Sequence, residues 1–437
     1  MTPKYFLYFS LVILTIYTDS PLQNYLDSFG ESVVPVVSLI LCSFAYPLGF
    51  VKRTDRFIIG FENLVKYTLV ISVLALVLYF VDGRLTIKGE FLPIKMIKVM
   101  LYFIGYICFL KLMYNIALSL SLEKILKPFL FTLFLLTIIL IIELIKIPDA
   151  FPALHYHETP YNRVRLLCAE SSWTTSQVQV FGIVSLFYSA YVKKSKKLTL
   201  GVVTCIFVHI ISSGSKTLQL SVFLFVVSKL RHSSFKVKII SILLGALGFS
   251  LLIYYMLPPL IESFTTDIEE STSTVTRSYT MICAYAIGME YPFGTGFQTY
   301  MDLLPSTLKE YTWMVDYFFD TSNLNEVQEL YGGDDGKNLS AKSFIAQSSI
   351  YWGILGTIYF MYIIIKRFKY SEKVFINKGY WLIKSLFYIM LLEISFSSSL
   401  SYDFLALIVV FLVISSENWR PKGLVKVRNI KEESSIV

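Results

Sequence analysis

Pro128-Phe129-Leu130-Phe131-Thr132-Leu133-Phe134-Leu135-Leu136-Thr137-Ile138-Ile139-Leu140-Ile141-Ile142-Glu143-Leu144-Ile145-Lys146-Ile147 is the stretch that decides the fold. Its only charges, Glu143 and Lys146, come at the end of an otherwise apolar run. A helix rises 1.5 Å per residue, so about 20 such residues cross a hydrocarbon core of about 30 Å. The run lacks the period-2 alternation of a barrel strand, and an open sheet edge cannot face lipid. Working outward, similar runs recur at 5–18, 33–50, 63–81, 96–118, 172–192, 198–211, 217–230, 239–258, 344–365, 379–397 and 402–416. The expected fold is all-α: a polytopic integral membrane protein of about twelve transmembrane helices.

Composition agrees. Of 437 residues, 55% are hydrophobic and 16% charged, where a soluble domain carries about 25% charged. Mean hydropathy is +0.62. The 30 Tyr and 35 Phe suit side chains placed at lipid–water boundaries. Disorder, a disulfide scaffold and several soluble domains are excluded. The five cysteines form no CxxC or metal-ligand spacing; a Cys168–Cys283 bridge outside the membrane is one arrangement their placement permits.

Lys and Arg orient the spans. With both termini inside, the inner segments hold 25 of the 39 basic residues and the outer segments 11, as the positive-inside rule demands. The net charge of +8 is then mostly a topology signal, and nucleic acid is not an expected partner. The first run ends in Thr18-Asp19-Ser20 without a small-residue cleavage site, which reads as an uncleaved helix. The chain divides into nine spans over 1–258, an outer loop over 259–343, three spans over 344–416 and an inner tail over 417–437. The loop holds 13 acids and 4 basic residues. Its Trp313, its other aromatics and an amphipathic stretch from Tyr279 to Leu304 predict a folded cap with helices lying in the interface.

Four short pieces at the outer ends of spans carry candidate chemistry. The first is His155-Tyr156-His157-Glu158 followed by Arg163, Arg165 and Glu170-Ser171. Two His and one Glu in a loop fall short of a metal site's usual ligand set, so no metal is expected. Arg165 and Glu170 read either as an interfacial salt bridge or as a phosphate-binding cation beside a carboxylate able to deprotonate a hydroxyl. The second is Ser212-Ser213-Gly214-Ser215-Lys216-Thr217, an ordinary hairpin turn or an anion-holding one; the glycines of a Walker A loop are missing. The third is Arg277 with Pro292-Phe293-Gly294-Thr295-Gly296, and the fourth is Lys342-Ser343 with Gly353-Ile354-Leu355-Gly356. Charges inside spans are functional candidates by default. Of these, Lys98 and Glu143 lie close enough to span ends to snorkel, whereas Lys111 and Glu393 are deeper and are expected to pair.

These pieces, in this order, resemble the O-antigen polymerase and O-antigen ligase superfamily, whose members include the Wzy-type polysaccharide polymerases. Arg165 to Glu170-Ser171 matches the family's start of a middle helix, and Ser215-Lys216 its short-helix turn. Arg277 with Pro292 to Gly296 matches its Arg and Pro-x-x-Gly-x-Gly pattern. Lys342-Ser343 to Gly353 matches its late motif in spacing. Lys216 replaces a frequent Arg, Lys342 stands where ligases carry His, and Tyr351 where Glu is frequent.

The resemblance implies a GT-C-like membrane fold and a bacterial inner-membrane location. It implies metal-independent, cofactor-free, inverting transfer of oligosaccharide repeat units from undecaprenyl pyrophosphate, building O-antigen or capsular polysaccharide outside the membrane. Arg165, Lys216, Arg277 and Lys342 would bind the pyrophosphate, with Glu170 as base and His157 in reserve. Partners would be lipid-linked donor and acceptor, the bilayer and a chain-length regulator. Lys342 in place of His favours polymerase over ligase. The rival classes are a twelve-helix flippase or transporter, a metal-dependent glycosyltransferase using the acid Asp19, and a structural or receptor protein. Against the transporter, no matching halves and no broken helices are evident.

Overall fold

The computed structural model describes residues 2–47, 51, 54–147, 149–156, 164–169, 171–213, 272–313, 332–333, 339–374, 388, 391, 394–395 and 400–416. Within them run α1 (Pro3–Leu14), α2 (Val33–Ala45), α3 (Arg56–Val81), α4 (Leu92–Ala117), α5 (Leu122–Lys146), α6 (Ser171–Phe187) and α7 (Lys196–Ser213). They are followed by α8 (Thr272–Glu290), α9 (Tyr300–Glu310), α10 (Phe344–Val374) and α11 (Tyr402–Ile414). Apolar runs supply the helices, and local chemistry starts them. Asp55 accepts the Phe57 N–H at 2.9 Å ahead of α3, Ser32 accepts that of Val34 at 3.3 Å ahead of α2, and proline opens α1 and α4.

The chain is mostly helical, and α3, α4, α5 and Phe344–Lys369 of α10 are long and apolar enough to cross a membrane. The shorter helices α1, α2 and α11 are apolar too. The expected twelve spans are not reached among the described residues: four qualify, 217–230 and 239–258 lie outside the described residues, and 379–397 does so except at four positions. One antiparallel hairpin, β1 (Thr86–Ile87) with β2 (Glu90–Phe91), joins α3 to α4. Its turn residues Lys88 and Gly89 both have positive φ, 49° and 72°, as a two-residue hairpin loop requires.

The core centres on aromatic rings. Phe103 of α4 stacks on Phe297 at 5.2 Å and meets Trp352 of α10 at 5.9 Å and Phe61 of α3 at 6.0 Å. Offset and edge-to-face pairs like these contribute about 0.5–1.5 kcal/mol each beyond area burial. Phe297 belongs to the expected 259–343 loop, so part of that loop is core. Arg84 binds Asp302 at 2.6 Å, and Lys88 donates to the Gly333 carbonyl at 2.5 Å. The described parts of the loop therefore lie at the end of the bundle where α3 stops and α4 starts.

Four expectations change. Lys111 pairs with Glu62 of α3 at 2.6 Å, one residue ahead of where the apolar run begins; Glu393 lies outside the described residues. Glu143 does not snorkel but is 2% exposed and accepts hydrogen bonds from backbone. All five cysteines are free, so no Cys168–Cys283 bridge exists. And α10 is broken at Gly353, whose φ and ψ are 70° and 173°.

Candidate functional site

Two structures meet at the loop-bearing end of the bundle. The first is a buried ionic knot. After α1 the chain places Asp19 fully buried, and its Oδ2 lies 2.7 Å from Nδ1 of His155 and 3.9 Å from Nη1 of Arg165. Arg165 is itself 2% exposed. From α5, the two oxygens of Glu143 accept the backbone N–H groups of Arg165 and Leu166, both at 2.8 Å. That grip holds Leu166 at φ 53°, a left-handed conformation that is uncommon away from glycine. The Thr18 N–H donates to the Leu167 carbonyl at 3.0 Å, and the Tyr156 N–H to that of Asp19 at 3.3 Å. A buried charge needs a partner and hydrogen bonds, and this knot supplies both from three segments. Beside it, burial pushes the Cys168 thiol pKa up.

Next to the knot opens a pocket of about 550 Å³, mouth included. Its aromatic wall is Tyr102 and Tyr106 of α4 with Trp173 of α6, and its carboxylates are Glu31 and Asp403. The Tyr102 hydroxyl faces Glu31 at 3.5 Å. Ser176 donates to Asp403 Oδ2 at 2.9 Å, and Gln177 donates to the Ile16 carbonyl at 2.8 Å. The other ends of these groups, Asp403 Oδ1 and Gln177 Oε1, make no hydrogen bond among the described residues, and neither does the Tyr402 hydroxyl. Each buried polar atom left unsatisfied costs about 1–3 kcal/mol. All three belong to residues that line this pocket.

The third and fourth sequence pieces interlock. The Thr295 and Gly296 N–H groups donate to the carbonyls of Ile350 and Tyr351 at 3.0 and 3.4 Å, and the Leu355 N–H donates to that of Pro292 at 3.2 Å. The Phe297 N–H donates to Ser72 Oγ in α3 at 2.8 Å. Pro292–Gly296 thus docks into the break of α10 and fills backbone valences that the break exposes, as irregular backbone inside an apolar bundle requires. Arg277 sits in the first turns of α8, and Thr280, three residues on, donates to the Ala341 carbonyl beside Lys342 at 3.3 Å. Lys342 is half-buried with φ 53°. Its neighbour Ser343 caps α10, accepting the Ala346 N–H at 3.3 Å.

The helix turn after Arg277 therefore touches the segment carrying Lys342, while Arg165 is built into the knot with Asp19, Glu143 and His155. Glu170, His157 and Lys216 lie outside the described residues. The local spacing does not show the roles of Asp19, Glu31, His155, Gln177 and Asp403. An acid in the second position of the last apolar run was the one available sign for Asp403.

Over 168 residues the chain is 29% identical to an "Uncharacterized 49.5 kDa protein in cps region" of Klebsiella pneumoniae, covering 38% of this chain and 37% of that protein. The chain thus matches little more than a third of the length of this curated relative. No family model matches the chain. No solved structure matches it either.

Proposed function

We propose that the chain is a bacterial plasma-membrane polymerase that joins polyprenyl-pyrophosphate-linked oligosaccharide repeat units into a surface polysaccharide. The observation that carries this reading is the docking of Pro292–Gly296 into the Gly353 break, on the same pair of helices, α8 and α10, whose other ends bring the turn carrying Arg277 against the segment carrying Lys342. Motif pieces about sixty residues apart in sequence behave as one unit. The similarity to a protein of a cps region, read as a capsular polysaccharide region, supports the same class.

The chemistry follows from the groups available. An acceptor hydroxyl oxygen bonds to the anomeric carbon of the donor. The bond to pyrophosphate breaks and its electron pair leaves with the phosphate oxygen, while the hydroxyl proton passes to a carboxylate. Charge develops on the departing diphosphate, and fixed cations aimed there lower the barrier. Arg277 and Lys342 are assigned that task, with Lys216. Arg165, enclosed by Asp19, positions the wall on which the site is built. Glu170 is assigned the proton, with His157 in reserve.

Deleting the gene should leave single repeat units on the carrier lipid. Long polymer held on the carrier would instead mark a ligase. Arg277→Ala should remove long-chain product at unchanged protein level, and wild-type polymer in that variant would end the assignment. The break in α10 favours one second reading, a transporter, because broken helices line transporter sites. Uptake of lipid-linked glycan by liposomes holding only this protein would select it.

A further inference from the structure

The pocket between α4, α6 and α11 differs in charge from the Arg277–Lys342 region. Among the described residues it is lined by two carboxylates, Glu31 and Asp403, and by no Lys or Arg. A diphosphate placed there would meet like charge, with no cation among the described lining residues to offset it. What the pocket offers is different: aromatic faces at Tyr102, Tyr106 and Trp173, and polar side chains of Glu31, Ser176, Gln177, Ser401 and Asp403 in its wall. Gln177 is 2% exposed and Asp403 fully buried, so bulk water does not reach them freely. Flat aromatic surface in a wall rich in carboxylate, amide and hydroxyl oxygens matches a neutral ring whose rim is hydroxyl donors and whose faces are C–H.

We propose that this pocket binds the non-reducing end of the acceptor glycan. The inference rests on the polymerase reading, in which the acceptor reacts at a neutral sugar far from its own pyrophosphate, whereas the donor reacts at its pyrophosphate-bearing end. Trp173 and Tyr102 stack on the sugar, and Glu31, Gln177 and Asp403 accept its hydroxyls. The two halves of the reaction are then divided by charge, the acceptor in the acidic pocket and the leaving group beside Arg277.

The test uses the purified full-length chain in nanodiscs. The probe is the repeat-unit oligosaccharide released by mild acid from the lipid-linked unit of a deletion strain, so that it carries no pyrophosphate. Calorimetry should show binding that weakens at least tenfold in Trp173→Ala and in Glu31→Gln, with inorganic pyrophosphate failing to displace the sugar. Arg277→Ala, which stops polymer, should bind the oligosaccharide as wild type does. Wild-type binding in both pocket variants, or displacement by pyrophosphate, overturns the pocket assignment and leaves the polymerase reading standing. A deletion strain that accumulates no lipid-linked unit overturns both.

Discussion

At the scale of single residues, Glu143 shows how burial decides what a charge does. Its carboxylate is committed to two backbone N–H groups, and those bonds hold the Arg165–Leu166 turn. Glu143→Gln keeps the size but offers one acceptor oxygen in place of two, leaving a buried N–H unpaired at a cost of about 1–3 kcal/mol. The detergent-solubilised variant should therefore melt several degrees lower, while Glu123→Gln, on the exposed first turn of the same helix, should not. An unchanged melting temperature for Glu143→Gln would remove the turn-holding role. The sequence marks Glu143 as an ion near a span end and Arg165 as a cation beside a helix start, and both readings are local. Asp19 and His155 meet across 136 residues, and no short pattern carries that pairing.

Among the elements, the broken α10 and its docked segment are one device. Gly353 has φ 70°, and a Cβ there would sit 2.1 Å from the Pro292 carbonyl oxygen and 2.4 Å from the Gly294 nitrogen. Those are backbone atoms, so nothing yields cheaply. Gly353→Ala should expel Pro292–Gly296 from the bundle, with a loss of about 3 kcal/mol or more and loss of polymer. Gly83→Ala is the control: its φ is 67° but nothing lies within 4 Å, so it should cost about 1 kcal/mol and leave polymer length unchanged. Equal effects on thermal melting would show that backbone strain alone, without docking, explains Gly353. Both glycine pieces are visible in the sequence as turn formers. That they interlock is not, because the bonds join main-chain atoms and leave no mark on side-chain pattern. Hydropathy likewise finds the α10 run without finding its break, since Gly353 counts as one neutral residue in an apolar window.

For the whole molecule, the run 128–147 was enough to establish a helical membrane chain, because length and apolarity act on every window alike. Sidedness is a separate matter, and the structure narrows it. The segments after α1 and before α2 and the starts of α6 and α11 line one pocket with Tyr102 and Tyr106 from the middle of α4, and the hairpin after α3 touches the 259–343 loop, so the ends that meet in each group share a side. The positive-inside bias predicts that this side is the exterior. Single cysteines report on this directly. The native thiols need little correction outside the membrane: Cys168 and Cys283 are fully buried, burial pushes the Cys283 thiol pKa up to about 12, and only a thiolate reacts readily. In a cysteine-free background, Gly83→Cys and Asp149→Cys, both at exposed positions, should be labelled in intact cells by a membrane-impermeant maleimide. Ser121→Cys and Lys194→Cys, exposed at the opposite ends of their helices, should be labelled only after the membrane is opened. The reverse pattern would put the pocket, Arg277 and Lys342 in the cytoplasm. A lipid-linked glycan already moved across the membrane could not reach them there, and the polymerase reading would fail with the topology.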